Sequence, residues 1–187
     1  MRRLFDLFRR RNEGATAVEF ALIAPAFFIV MWGTVEAGML ALASTLLEGA
    51  VREAGRAGIT GYAPVGQTRD QYVKDTVKKF TANFLDINKI TIDTKSYSSF
   101  GNVGQPESFV DRSPFNGTYD AGESFTDTNG NGKWDSDQGK TGLGDPGDVV
   151  VYTLTYKWDF FAGYAKEIFG APSVNLIASV AVRNEPF

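Results

Sequence analysis

The 187-residue chain contains neither cysteine nor histidine. Without cysteine there are no disulfides and no thiolate nucleophiles. Without histidine the usual general base near neutral pH is missing, and Cys/His zinc sites are excluded with it. Only hard cations held by oxygen ligands remain as candidate metals. No nucleophile elbow and no phosphate-cradling loop occurs, so the sequence carries no recognisable catalytic constellation and reads as a non-enzyme. No basic stripe follows residue 80, which argues against a nucleic-acid partner. There is no internal repeat.

What is present is a chain with 43% hydrophobic and 13% aromatic residues, enough for one packed domain plus an appendage. The net charge of −3 is unevenly spread. Residues 1–13 hold Arg2, Arg3, Arg9, Arg10 and Arg11 against Asp6 and Glu13, a balance of +3 that leaves −6 for the rest. A basic end, then an apolar run, then an acidic body is the pattern of a membrane protein.

The apolar run is charge-free over residues 20–35 and again over 37–47, interrupted by Glu36 alone. With residues 15–18 it is long enough to cross a bilayer. The flanking arginines put the N-terminus in the cytoplasm and the body outside. A cleaved secretory signal, cut near Ala43, has the same order of regions. A retained helix is the better reading, because Met39, Leu42, Leu46, Ala50 and Ala54 continue at three- and four-residue spacing. The helical pattern stops only at GITGYAP, residues 58–64. Pro25 should kink or loosen this helix, which is tolerable inside a membrane.

The stretch GATAVEF, residues 14–20, resembles the processing site of type IV pilin-like proteins. More narrowly, GATAVEFALIAPAFF, GTVEAG and REAGRAG resemble the N-terminal segment of TadE-like minor pilins (pseudopilins) of the tight-adherence (Tad, type IVc) pilus. The ending VAVRNEPF, residues 180–187, is similar to that of many such proteins. Many relatives carry a cysteine pair in the outer domain; this chain has none.

The resemblance implies cleavage after Gly14 by a prepilin peptidase, with Ala15 as the new N-terminus and Glu19 and Phe20 as its fifth and sixth residues. It also implies other pilin-like subunits as partners, a second minor pilin and the major pilin among them. An unpaired acid at Glu19 costs a few kcal/mol or more, depending on depth. The Ala15 ammonium of a neighbouring copy would neutralise it and set register between helices; the alternative is a solvated Glu19 at headgroup depth near Arg11. Glu36 has two readings as well, a contact with partner subunits or an interfacial position outside the lipid.

The outer domain shows a second helix in TRDQYVKDTVKKFTANFL, residues 68–85. It opens on a Thr-x-x-Gln capping box and places Val73, Val77, Phe80 and Phe84 on one face. Strands are expected at KITIDTKSY, DVVVYTLTYKW and residues 173–183, with Val150, Tyr152, Leu154, Tyr156 and Trp158 sharing a face of the second. DFFAGYAKEIFG between the last two reads as a short helix or turn with Phe160, Phe161, Tyr164 and Ile168. The expected fold is α+β: a long N-terminal transmembrane, pilin-like helix continuing into an extracytoplasmic domain whose antiparallel sheet packs on helices. The expected divisions are a cytoplasmic basic leader at 1–14, the long helix at 15–58 and the outer domain at 59–187.

One loop, residues 123–139, stands apart. Asp127, Asn129 and Asn131 alternate ahead of Gly132, Lys133 offers a carbonyl and Asp135 falls at the ninth position, following the Ca²⁺ pattern D-x-[DN]-x-[DN]-G. The twelfth position is Gln138, not glutamate, so Asp137 or Glu123 would have to complete the site. A structural Ca²⁺ is the expected cofactor; an ordinary solvated turn is the alternative. The functional expectation is a minor pilin or pseudopilin of the bacterial inner membrane, with a periplasmic outer domain, that takes part in pilus assembly for surface adherence and enters the extracellular fibre. The competing one is a membrane-tethered, calcium-binding adhesion module that enters no fibre.

Overall fold

The computed structural model describes residues 14–81, 84–161, 163, 166 and 170–187. Helix α1 runs over Ala15–Ile59 without a break, about 67 Å at 1.5 Å per residue. It passes through Pro25, whose missing N–H leaves the carbonyl four residues earlier without its helical donor. It ends where Gly61 takes a φ of 67°, a left-handed conformation open to glycine at little cost. Helix α2, Arg69–Phe80, opens on the expected capping box: Thr68 Oγ1 accepts from Gln71 N–H and the Gln71 side chain accepts from Thr68 N–H. Strands β1 (Ile90–Tyr97), β2 (Lys140–Thr141), β3 (Val149–Asp159) and β4 (Ser173–Arg183) form one sheet in the order β2-β1-β3-β4. The α+β expectation is met.

Contacts divide the chain into two units. One comprises α1 up to Ala41 together with Asp159–Ser173; the other comprises Leu42–Trp158 and Val174–Phe187. In the first, the helix side chains are largely exposed, Phe20, Leu22, Ile23, Phe27, Phe28 and Val30 among them. Among the described residues, α1 is the one helix long and apolar enough to cross a membrane. Of the segment expected to be a short helix or turn, Tyr164 and Ile168 lie outside the described residues.

The second unit holds the core. Ala43, Leu47, Ala50, Val51 and Ala54 of α1 are buried, a seam at 3–4-residue spacing. The helix continues through the repeat read from the sequence, and its buried face begins at Ala43, with Leu42 48% exposed. Small residues let the helix approach the sheet. A Cβ on Gly58 would lie 1.8 Å from Tyr152 Oη, and one on Gly55 would meet Val180 and Val182 at 3.2–3.3 Å. β1 and β3 are antiparallel, with Ile90, Ile92, Thr94 and Ser96 opposite Tyr156, Leu154, Tyr152 and Val150. Alternation along β3 buries Val150, Tyr152, Leu154, Tyr156 and Trp158 as expected.

Helix α2 is shorter than its apolar stripe suggested. It ends at Phe80, and Thr81 donates its N–H to Val77 O and its Oγ1 hydrogen to Lys78 O. Val73 and Val77 are buried, but Phe80 is 41% exposed and lies over Gly49, while Phe84 stands beyond the helix and is 38% exposed. Leu85, 2% exposed, takes the core place instead. Strand β2, two residues in the 98–148 connection, was not legible in the sequence; its Lys140 and Thr141 pair with Ser96 and Lys95.

Candidate functional site

The first candidate region begins α1. Gly14 directly precedes the first helical residue, and among the described residues none beyond its chain neighbours lies within 4 Å of where a Cβ on it would stand. Ala15, Glu19 and Phe20 are exposed on the first turns. Arg11, needed for the solvated alternative at Glu19, lies outside the described residues.

One span further on, Glu36 is only 8% exposed. Its carboxylate accepts the backbone N–H of Phe161 at 3.0 Å. The acid assigned from the sequence to a partner contact or an interfacial position is thus engaged within its own chain.

The second region is the acidic loop. Asp127 folds back over it: Oδ1 accepts from Gly130 and Asn131 N–H at 2.7 and 3.1 Å, and Oδ2 accepts from Gly132 N–H at 2.8 Å. Gly130 and Gly132 have φ of 79° and 78°, which this tight turn requires. The Asn129 and Asn131 side-chain amides both donate to Asp135 Oδ2. These two bonds hold the Asp135 carboxyl below its ordinary range.

Asn129, Asn131 and Asp135 therefore come together through their side chains, while Asp127 caps the backbone of the same turn. Asp137 and Glu123, the carboxylates expected to complete the site, are committed elsewhere. Asp137 accepts from Lys95 Nζ at 2.7 Å and from Tyr97 Oη at 2.9 Å. Burial pushes the Asp137 carboxyl up, but the bonds from Lys95, Tyr97 and Gly139 N–H outweigh it and hold it low. The Lys95 bond to Asp137 raises the Lys95 ammonium, and burial, followed by Tyr97's own bond to Asp137, pushes the Tyr97 phenol up to about 12. Glu123 accepts from the Arg112 and Asp120 N–H groups, at 2.7 and 2.9 Å.

The carboxylate that touches the loop backbone is Glu107, 1% exposed and missed by sequence reasoning. Its Oε1 accepts from Thr128 N–H at 2.7 Å and its Oε2 from Asp135 N–H at 3.1 Å. Its own carbonyl accepts from Trp134 Nε1 at 2.9 Å. Trp134 stacks on Tyr119 at 4.6 Å, and Phe109 and Phe125 pack edge-on around the pair. No spacing rule points to Glu107, which lies twenty residues before Asp127 on the far side of a turn-rich segment.

As a metal site the loop offers the right donors for a hard cation. Several of these oxygens already have a protein donor: Asn129 Oδ1 accepts from Asn131 N–H and Asn131 Oδ1 from Lys133 N–H. Among the described residues no three acidic side chains gather around a metal-sized point.

Among the described residues, a single N-terminal apolar helix ahead of an α+β domain fits a membrane-anchored, pilin-like protein. Residues 14–56 match the family model described as TadE-like protein. That match spans most of α1, from the glycine before it to Arg56, and agrees with the resemblance drawn from the sequence. No curated protein and no solved structure matches the chain.

Proposed function

We propose that the chain is a minor pilin or pseudopilin that takes part in assembly or initiation of a Tad pilus for surface adherence. The observation that carries this reading is the TadE-like match, which begins at Gly14 and includes Glu19 and the whole apolar run. A prepilin peptidase cuts after Gly14, and the Ala15 ammonium of one subunit neutralises Glu19 of the next. The helix crosses the inner membrane with its N-terminus in the cytoplasm, and the sheet domain lies in the periplasm until the subunit joins other pilin-like chains. The exposure of nearly every side chain on the first turns of α1 supports a segment made to meet lipid or other helices.

Mass spectrometry of the protein extracted from membranes of a strain with the peptidase tests the first step. A chain beginning at Ala15 is expected, and a Gly14→Val variant should keep its leader. A wild-type chain still carrying residues before Gly14 would refute processing.

A second reading concerns the loop, supported by the meeting of Asn129, Asn131 and Asp135 and by Asp127 on the same turn. It takes Ca²⁺ as a structural ion, the two asparagine amides turning so that oxygen replaces nitrogen at the cluster. With two carboxylates and competing backbone donors, affinity falls at about 10⁻⁴–10⁻³ M. At ten times Kd the ion stabilises by about 1.4 kcal/mol, a Tm rise of about 3–6 °C for a chain of this size. Differential scanning fluorimetry with Ca²⁺ and then a chelator measures it. Asp135→Asn should abolish the rise; an unchanged wild-type Tm at 10 mM Ca²⁺ would rule the ion out.

A further inference from the structure

We propose that Phe161, at the start of the connection between β3 and β4, is an interfacial anchor, seated in the headgroup region of the bilayer where α1 leaves the lipid. The inference rests on the reading of α1 as a membrane span. The connection covers 13 residues, 160–172, between Asp159 and Ser173, whereas adjacent antiparallel strands need only two to five. The extra chain groups with the apolar part of α1, in the unit of α1 up to Ala41 and Asp159–Ser173.

The depth of that contact follows from arithmetic. Residues 15–35 of α1 rise about 32 Å at 1.5 Å per residue, which matches a hydrocarbon core of about 30 Å. Glu36, the next residue, therefore stands at the far boundary of the lipid. Trp32, one turn earlier and 46% exposed, occupies the level at which tryptophan gathers in membrane proteins.

At this boundary Glu36 and Phe161 meet. Irregular backbone in or near lipid needs its N–H groups satisfied, and Phe161 N–H is satisfied by the Glu36 carboxylate at 3.0 Å. A carboxylate at the membrane edge needs donors, and the connection provides one. Two further bonds lie within the connection: Phe160 N–H donates to Pro172 O, and Gly170 N–H to Lys166 O. Phe161 is 60% exposed, on the residue that Glu36 holds, and Lys166 is exposed as well. Exposed aromatic and lysine side chains in one segment are a composition suited to the interface plane of a phospholipid bilayer.

The absence of cysteine makes the test clean, since a single introduced thiol is unique. Full-length Phe161→Cys, Phe27→Cys and Val65→Cys variants are spin-labelled and reconstituted singly into phosphatidylcholine/phosphatidylglycerol vesicles. Power-saturation EPR with oxygen and a water-soluble nickel chelate reads the depth of each label. Val65, fully exposed in its turn, is the aqueous reference, and Phe27 is the mid-span one. The label at 161 is expected between the two, within about 5–10 Å of the headgroup boundary.

A label at 161 as open to the nickel chelate as that at 65, with 27 deep in lipid, would overturn the anchor and leave the span intact. A label at 161 shielded from both reagents would overturn it in favour of a covering protein partner. An aqueous label at 27 would instead remove the span on which the inference stands.

Discussion

Glu107 shows how a charge is kept inside this domain. A buried carboxylate without partners costs several kcal/mol, and Glu107 meets the demand with backbone N–H groups from the loop it closes. Lys95, Tyr97 and Asp137 solve the same problem with side chains at the sheet margin. The bond lowers the Asp137 carboxyl and raises the Lys95 ammonium, so its effect on stability has two edges. Asp137 contributes above its unfolded pKa of about 3.9 and the contribution disappears as pH falls below that. Lys95 contributes below its unfolded pKa of about 10.4 and the contribution is lost as pH rises past its folded value. Both side chains are partly exposed, which limits the pair to about 1 kcal/mol. Wild type should therefore exceed Asp137→Asn by about 2–4 °C in Tm between roughly pH 5 and 9, the gap closing on either side. Thermal melts of both proteins across pH measure it, and a gap that persists at pH 2 would show that Asp137 acts through packing.

At the scale of elements, α1 changes what its small residues are for along its length. Gly33 and Gly38 have no atom near a hypothetical Cβ, whereas Gly49, Gly55 and Gly58 are pressed by Phe80, Val180 with Val182, and Tyr152. These contacts differ in how readily they yield. Tyr152 is fully buried, with its hydroxyl, raised to about 12 by desolvation, against Gly58. Phe80 is exposed enough to swing away from Gly49. Gly58→Ala should overpack the core at a cost of about 1–3 kcal/mol and lower Tm by about 2–12 °C. Gly49→Ala should be close to neutral, because alanine's gain of about 1 kcal/mol in helix propensity offsets the ring's displacement. Equal losses from the two, measured by thermal melts, would mean that the Phe80 ring is as fixed as that of Tyr152.

For the whole molecule, the question is what an acid at Glu19 does in an otherwise apolar entry to the helix. If a neighbour's ammonium neutralises it, Glu19→Gln removes the charge while keeping the shape, and subunits lose their register. Fibre counts by electron microscopy, in cells whose own copy is deleted, are expected to fall about tenfold or more for a lost interaction of about 1.4 kcal/mol. Normal fibres from the glutamine variant would sink that pairing. The anchor inferred at Phe161 gives the subunit a second membrane contact independent of Glu19, so the glutamine variant should remain in the membrane fraction.

Much of this was legible in one dimension because it depends on periodicity. The α1 repeat, the Thr68 cap and the alternation of β3 are local patterns that backbone geometry turns directly into elements, and the Gly14–Glu19 spacing becomes a motif when joined to the arginines, the apolar helix and the ending. Length and composition alone marked α1 as a candidate span. What the sequence left open were pairings between distant residues: Glu36 with Phe161, Glu107 with the loop at 127–135, Asp137 with Lys95 and Tyr97, and β2 with β1. Carboxylates look alike in sequence, and which donor satisfies each is decided by where the folded chain brings its N–H groups and cations. Spacing proposed Asp137 and Glu123 for the loop; tertiary structure gave both to other donors and brought a glutamate from twenty residues upstream to hold its backbone.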